Sequence, residues 1–514
     1  MKKVVSMIVV LVSSLAISCS NDFINILPTS SVSVDILYKT DKDFKDALTA
    51  TYSVFQDLYQ NFYVFGDIRG DDSWMQIYKN NSPSYSDLFT ITSSDGVIKS
   101  TWQDYYSAIY RANTILAKIE EAEIEAVPNK ERYIGEARFL RALAYFDLVR
   151  IFGAVPAVTT PVSIEGSYRV PREPVENVYE TIIIPDFIAA ESALPAKCSG
   201  DEVGRATSGA AKSLLGRVYL TKGDFLNAES KLKEVTTMGY QLLANYEDLF
   251  DYTKSEHHSE YIFDIEYQSG IGEGSTFTTA FFPNFSEMNE FFNITGAGQE
   301  YNNPTQELIS LFVPGDTRKE VTVGVPGGFY DADSVFHALP TSTNQTYTKK
   351  YFDSSPVRAD SKANWKVIRY ADVLLMYAEA CLEKGDIVGA RKYLNQVRKR
   401  ARESSPLDAK RVIQKYVPDT KPTSLPDITS DNVAEVRLAI WNERRFEFAC
   451  EGIRRMDLMQ QERYGEIMTA VYSNGYATED VDKGRYYTKE RELFPIPQND
   501  IDLSRGALVQ NPGY

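Results

Sequence analysis

The sequence has few of the side chains on which enzymes most often rely. Its 514 residues contain three histidines, His257, His258 and His337, and only four cysteines. No HExxH, GxSxG or phosphate-binding glycine loop occurs, which argues against the matching peptidase, hydrolase and nucleotidase classes. Asp71 and Asp72 are adjacent, whereas glycosidase carboxylates face each other across a cleft, about 5–10 Å apart. We therefore expect no catalytic activity and no cofactor.

A surplus of basic charge is also missing. The chain has 55 lysines and arginines against 71 aspartates and glutamates, a net charge of -16. This balance argues against a nucleic-acid ligand, and it is compatible with a neutral ligand that needs no charge steering. The four cysteines have no metal-ligand spacing, so we expect no metal site; Cys381 and Cys450 fall in helical patterns as small core residues.

Long apolar stretches are missing too, apart from the first residues of the chain. Residues Val4–Ser18 are apolar or small, carry no charge and follow a short basic start. The stretch falls short of the roughly 20 residues that a membrane-spanning helix needs, and its order is that of a secretory signal. We therefore predict an exported protein in which residues 1–18 are a signal peptide.

The end of that stretch indicates lipid attachment. The sequence Leu15-Ala16-Ile17-Ser18-Cys19 resembles a lipobox, although Ile17 is bulkier than the usual residue there. Acylation of Cys19 by several chains would anchor the protein durably in outer-membrane lipid, whereas a plain cleaved signal is the alternative. Residues 19–33 would then form a lipidated polar tether, and residues 34–514 the folded domain.

Helical periodicity is the main pattern in the first part of the predicted domain. Apolar residues recur at helical spacing over Asp43–Tyr59, Trp102–Ile119 and Arg132–Phe152. The third segment ends at Gly153-Ala154-Val155-Pro156, a helix stop. These segments predict a mainly α fold.

Two further helical segments repeat each other. Ala211–Val235 and Val373–Val397 align at an offset of 162 residues, which equates Gly216 with Ala378. The same offset aligns Lys222-Gly223-Asp224 with Lys384-Gly385-Asp386. Small residues where two helices cross, joined by a Gly-Asp turn, are typical of tetratricopeptide repeats. We expect Gly223 to be left-handed and Asp224 to start the second helix, with helical repeats within about 43–237 and 368–402.

Between the two copies the composition changes. Residues from about 240 to 361 are rich in glycine, asparagine, serine and aromatic residues. They predict a loop-rich insertion with a few short strands, such as Glu260–Tyr267. Long irregular segments on a rigid frame usually carry function, so we expect the ligand-binding face here.

Four motifs, in a fixed order along the chain, carry a family resemblance. They are Glu136–Phe146 with Phe152–Pro156, Ile368–Ala380, Glu443–Phe448 with Glu451–Leu458, and Phe494–Pro497 with Gln510–Tyr514. The chain resembles the RagB/SusD family of outer-membrane nutrient-binding lipoproteins over nearly all of its mature length. The charged residues of these motifs sit at helical spacing, and we interpret them as buried ion pairs that fix helix register rather than as ligand contacts.

The resemblance implies a SusD-like, tetratricopeptide-type scaffold on the outer face of the outer membrane. It implies a SusC-like TonB-dependent transporter as partner, over which the protein sits as a lid. It implies a glycan ligand, and in some members a peptide, without catalysis. A structural lid or adaptor with no ligand affinity of its own is the remaining alternative.

Candidate ligand contacts are suggested by sugar chemistry. Aromatic rings cover the apolar face of a sugar while polar side chains bond its hydroxyls. The segment from Gly66 to Tyr78 and the stretch from Gly270 to Tyr301 combine both kinds of residue, and the resemblance strengthens the first. The candidates are Arg69, Asp71, Asp72, Trp74, Tyr78, Asn284 and Tyr301. Local packing is the alternative for Trp74, and core packing for most of the phenylalanines in the second stretch.

Replacing Cys19 tests the anchor. Cys19→Ala should move nearly all of the protein from the membrane to the soluble fraction, because no acylated residue then remains. Ultracentrifugation of cell lysates measures this shift. Cys198→Ala is the matched control and should stay with the membrane, and a Cys19→Ala protein that also stays there contradicts lipid attachment.

Overall fold

A computed structural model describes most of the chain. The described residues are 38–75, 80–252, 254, 256–283, 298–314, 316–324, 328–330, 336–338, 346–353, 357–404, 425–474 and 483–514. The predicted signal peptide, Cys19 and the tether lie outside them, as do Tyr78 and Asn284.

Ten helices of at least ten residues make up the frame of the described part. They are α1 Asp41–Gln60, α2 Gly96–Glu121, α3 Lys130–Phe152, α4 Ile184–Ala193, α5 Ser208–Thr221, α6 Phe225–Thr236, α7 Tyr370–Glu383, α8 Ile387–Glu403, α9 Val433–Glu447 and α10 Tyr464–Asn474. From α1 to α9 each helix packs against the next. In the described residues we find no helix with the length and apolar character needed to cross a bilayer.

The three predicted N-terminal helices are confirmed, and side-chain caps explain why the first two begin earlier than their apolar patterns. Thr40 and Asp43 form a reciprocal capping box before α1, and Asp95 Oδ1 accepts the Val97 amide before α2. Helix α3 ends at Gly153, whose φ of 76° places it in the left-handed region. The helix stop predicted from the sequence is therefore correct.

The internal repeat is confirmed as two helix pairs, α5 with α6 and α7 with α8. Gly223 and Gly385 both take positive φ, at 72° and 86°. Asp224 and Asp386 then cap the second helix of each pair by accepting the amides of Asn227 (3.1 Å) and Gly389 (2.8 Å). A Cβ atom on Gly216 would lie 2.6 Å from the Leu232 side chain, so a larger residue here would force that leucine to shift.

The charged motif of α3 forms buried ion pairs, as expected. Arg141 donates through Nε and Nη2 to both carboxylate oxygens of Asp186 on α4, at 2.7 and 2.9 Å. Its Nη1 donates to Asn113 Oδ1 on α2 at 2.7 Å. Glu136 accepts from Arg132 and Arg205, at 3.0 and 2.9 Å. These side chains fix the relative register of three helices.

A larger buried charge network lies at the end of α9. It holds five cations, Arg318, Lys350, Arg369, Arg398 and Arg400, and five carboxylates, Glu260, Asp316, Glu443, Glu447 and Glu451. Burial alone would raise the pKa of Glu447, but Arg400, Arg369 and Arg318 outweigh it and hold the pKa at about 2. The charged motif that contains Glu447 is therefore structural.

Short strands and helices lie between the long helices, including in the predicted loop-rich regions. The antiparallel strand pairs are Ser73–Trp74 with Asn303–Pro304, Val155–Pro156 with Arg172–Glu173, Tyr261–Ile265 with Trp365–Arg369, Val323–Gly324 with Tyr347–Thr348, and Gly328–Tyr330 with Phe336–Ala338. The short α-helices are Phe62–Gly66, Ser82–Asp87, Ile164–Ser167, Val175–Val178, Phe277–Phe281, Gln306–Leu311, Thr317–Thr322, Arg454–Gln460 and Gln498–Leu503. The predicted strand Glu260–Tyr267 is confirmed over Tyr261–Ile265, and its partner strand runs directly into α7.

The cap of the second repeat offers a test of the repeat assignment. Asp386→Ala should lower the free energy of unfolding by about 1 kcal/mol, because the Gly389 amide loses its acceptor. Val388, 69% exposed on the same helix, supplies the control, since Val388→Ala removes little buried surface. Denaturant titration compares the two variants, and an equal, negligible effect of both would contradict the capping role.

Candidate functional site

The structure places the first candidate segment against residues that directly follow the second. Ser73–Trp74 pairs with Asn303–Pro304, with Trp74 opposite Asn303. The Thr305 amide continues the contact by donating to the Asp72 carbonyl at 2.9 Å. The stretches around residues 66–75 and 298–305 thus form one unit.

The floor of this unit consists of four buried charged residues, Asp71, Asp72, Arg445 and Arg454. Asp71 accepts from Arg454 Nε and Nη2 at 2.6 and 2.9 Å, and Arg445 contacts both Asp71 and Asp72. Burial works against charge on both carboxyls. The two arginines outweigh it at Asp71 and lower its pKa, whereas at Asp72 burial prevails and the pKa is raised.

Arg69 and Trp74 are buried beside this floor. The Arg69 guanidinium lies between the rings of Phe89 and Phe494, at 4.0 and 4.3 Å, and donates to the Arg491 carbonyl at 2.8 Å. Trp74 is 1% exposed, and its Nε1 has no hydrogen-bond partner among the described residues. Both side chains are packing elements in this conformation.

The structure buries four of the residues predicted as ligand contacts, Arg69, Asp71, Asp72 and Trp74. All four are at most 2% exposed. For Asp71 and Asp72 the physical reason is pairing at long range, because buried carboxylates need partners and here Arg445 and Arg454 come from far along the chain. Local packing, the alternative for Trp74, is what the structure shows.

Among the predicted contacts that the structure describes, Tyr301 is half-buried and lies above the floor. Its hydroxyl accepts from Asn81 Nδ2 at 2.9 Å, and its ring lies beside Tyr63, with centroids 6.4 Å apart and planes 24° apart. Asn81 is itself fixed, because its Oδ1 accepts the Ser84 amide at 3.1 Å and caps the helix Ser82–Asp87. Burial raises the pKa of Tyr301, so the phenol stays neutral at physiological pH.

The backbone on both sides of Tyr301 is strained. Glu300 and Asn302 each have a φ of 58°, a left-handed conformation that costs a non-glycine residue about 1–3 kcal/mol. The surroundings hold it, since the Glu300 amide donates to the Phe282 carbonyl at 3.0 Å and Asn302 Nδ2 donates to Asp67 Oδ2 at 2.9 Å. Such strain clusters at ligand-contacting positions, which makes Tyr301 and Asn81 the candidate contacts.

Sequence reasoning missed Asn81 and the two left-handed residues. The spacing of Asn81 and Ser84, with Pro83 between them, is a helix-start signal that identifies Asn81 as a cap. We find no comparable signal at Glu300, because glutamate rarely adopts positive φ.

Known family profiles match both halves of the chain. A profile described as "SusD family" matches residues 259–514, and one described as "Starch-binding associating with outer membrane" matches residues 22–220. The chain belongs to the RagB/SusD family.

Relatives match this RagB/SusD protein over nearly its whole length. SusD-like protein P25 of Formosa agariphila is 24% identical, over 97% of each chain. A SusD-like protein of Bacteroides ovatus is 25% identical, over 96% of this chain and 94% of its own. A solved laminarin-binding SusD-like protein is 26% identical, has a TM-score of 0.72 and covers 93% of this chain and 100% of its own. The predicted family and the mainly α, SusD-like fold are confirmed.

Removing one arginine tests the sealed floor of this RagB/SusD protein. Arg445→Met should lower the free energy of unfolding by about 3–5 kcal/mol, because it leaves Asp71 and Asp72 short of positive charge inside the protein. Arg169, exposed and paired with Glu165, is the control, and Arg169→Met should change little. Chemical denaturation giving equal stability for both variants would contradict this role of the floor.

Proposed function

We propose that this chain is a non-catalytic outer-membrane lipoprotein that binds oligosaccharides or polysaccharides outside the cell. It would deliver them to a SusC-like TonB-dependent transporter, held at the membrane by acylated Cys19. Three observations support the ligand class: the acidic balance of the chain, the laminarin-binding relative, and the starch-binding description of the profile over residues 22–220.

The placement of the ligand rests on Tyr301. Its left-handed neighbours hold the ring in one orientation, and its hydroxyl and the Asn81 amide lie side by side. A flat ring beside an amide matches the apolar face and the hydroxyls of a pyranose. Because both side chains are held before the ligand arrives, little conformational entropy is lost on binding.

We further propose that Tyr78 and Asn284, which lie outside the described residues, contribute to the same site. The floor beneath would act by supporting Tyr301, since Asp67 holds Asn302 through a hydrogen bond of 2.9 Å. Arg69, Asp71, Asp72 and Trp74 then support the site from within rather than contact the ligand.

Delivery to the transporter limits how tightly the chain can bind its ligand. A ligand that must pass to a transporter has to dissociate readily, so we expect a dissociation constant on the order of micromolar to millimolar. Docking on the transporter would use the helical frame, while the strained, aromatic face binds the glycan.

Calorimetry of the mature chain against a panel of neutral polysaccharides, with laminarin and soluble starch included, tests this function. Tyr301→Ala should weaken binding about two- to tenfold, since an aromatic contact contributes about 0.5–1.5 kcal/mol beyond buried area. Tyr219, half-buried on the repeat helix α5, is the matched control.

Two results would count against the proposal. Equal affinities of Tyr301→Ala and Tyr219→Ala would remove Tyr301 from the site while leaving the ligand class intact. Measurable binding of peptides, together with no measurable binding of any polysaccharide in the panel, would indicate a peptide ligand instead of a glycan.

A further inference from the structure

A second aromatic surface, which does not include Tyr301, lies beside α2. A groove of about 630 Å³ runs between α2, the segment 156–168 and residues near the C-terminus. Small-ligand sites commonly measure about 300–1,000 Å³. Neither Tyr301 nor Asn81 lines it.

One wall of the groove is a stripe of rings on α2. Trp102, Tyr106 and Tyr110 follow at four-residue spacing, which places them on one helix face, and Tyr168 faces them from the opposite segment. Tyr110 is 48% exposed, so its ring is available to a ligand. The Tyr106 hydroxyl donates to the Pro156 carbonyl at 2.9 Å and fixes that ring against the far wall.

The far wall is the segment 156–168, and hydrogen bonds attach it to the helices behind it. Asn113 Nδ2 donates to the Val158 carbonyl at 3.0 Å, and the Tyr145 hydroxyl accepts the Val158 amide at 2.6 Å. These bonds attach the segment to α2 and α3. The groove is therefore formed before any ligand binds, which favours binding.

A polar group at the groove lacks a partner. Asp500 lines the groove, and its Oδ2 is buried with no hydrogen-bond partner among the described residues. Burial raises the pKa of Asp500, and Lys99 opposes this change. A buried acceptor without a partner is unfavourable, and a hydroxyl donor bound at the groove would satisfy this carboxylate. Gln103, exposed at the same groove, supplies an amide with both donors and an acceptor.

We propose that this groove is a second carbohydrate-binding site, which takes neutral sugar units of the polysaccharide that the chain captures. The ligand class rests on the proposed function, whereas the location rests on the groove alone. A purely apolar ligand would leave Asp500 unpaired, and an anionic ligand would meet its carboxylate. A neutral pyranose offers hydroxyl donors to Asp500 and a flat apolar face to Tyr110 and Tyr168.

Hydrogen–deuterium exchange of the full mature chain, with laminarin and with soluble starch as probes, tests the second site. We expect a polysaccharide that binds to slow amide exchange in residues 158–168 as well as around Tyr301. Tyr110→Ala and Gln103→Ala should each abolish the slowing in 158–168 and leave that around Tyr301 unchanged. Tyr472, 46% exposed on α10, is the matched control, and Tyr472→Ala should keep both effects.

The outcomes separate the two proposals. Slowing around Tyr301 with none in residues 158–168 would overturn the second site and leave the proposed function standing. Slowing in 158–168 that Tyr110→Ala and Gln103→Ala both retain, or that purified transporter produces without glycan, would assign the groove to another role and overturn this proposal. No slowing in either place with either probe would overturn both.

Discussion

The neutralisation of buried charge at α9 is the constraint on which the rest of the structure depends. Glu447 contacts Arg369 at 2.6 Å and Arg318 at 3.2 Å and also pairs with Arg400. Arg369 directly precedes α7, Arg400 lies near the end of α8, and Arg318 belongs to the loop-rich insertion. One carboxylate thus joins the helical repeats to the insertion, and none of these charges is stable inside the protein without the others.

Neighbouring residues of α9 form buried ion pairs with different parts of the chain. Arg444 donates to Asp372 on α7 at 2.8 Å and to Asp457 at 2.9 Å. Arg445, the next residue, turns instead to Asp71 and Asp72 beneath Tyr301. One helix therefore sets both the packing of the repeats and the floor of the candidate site, so frame and site cannot form independently.

The local sequence pattern predicted the helical frame but not the burial of the floor residues, and the reason is physical. Helical periodicity and the Gly-Asp turns are properties of adjacent residues, so the repeat helices and the caps at Asp224 and Asp386 could be predicted from sequence. Whether Asp71 is exposed or buried depends on Arg445 and Arg454, which lie more than 370 residues away in the chain. The same composition of polar and aromatic residues is compatible with both outcomes. The left-handed conformation of Glu300 is likewise imposed by tertiary contacts.

The position of Tyr301 depends on contacts both beneath it and beside it. Main-chain bonds and the interior amide of Asn302 fix that stretch from within, and the Asn81 amide and the Tyr63 ring hold the Tyr301 side chain from the side. Exposed side chains away from these contacts usually contribute little to stability. Substitutions on the outer face can therefore accumulate without unfolding the protein. Such a division lets one scaffold diversify its ligand preference by point mutation while the interior stays constant.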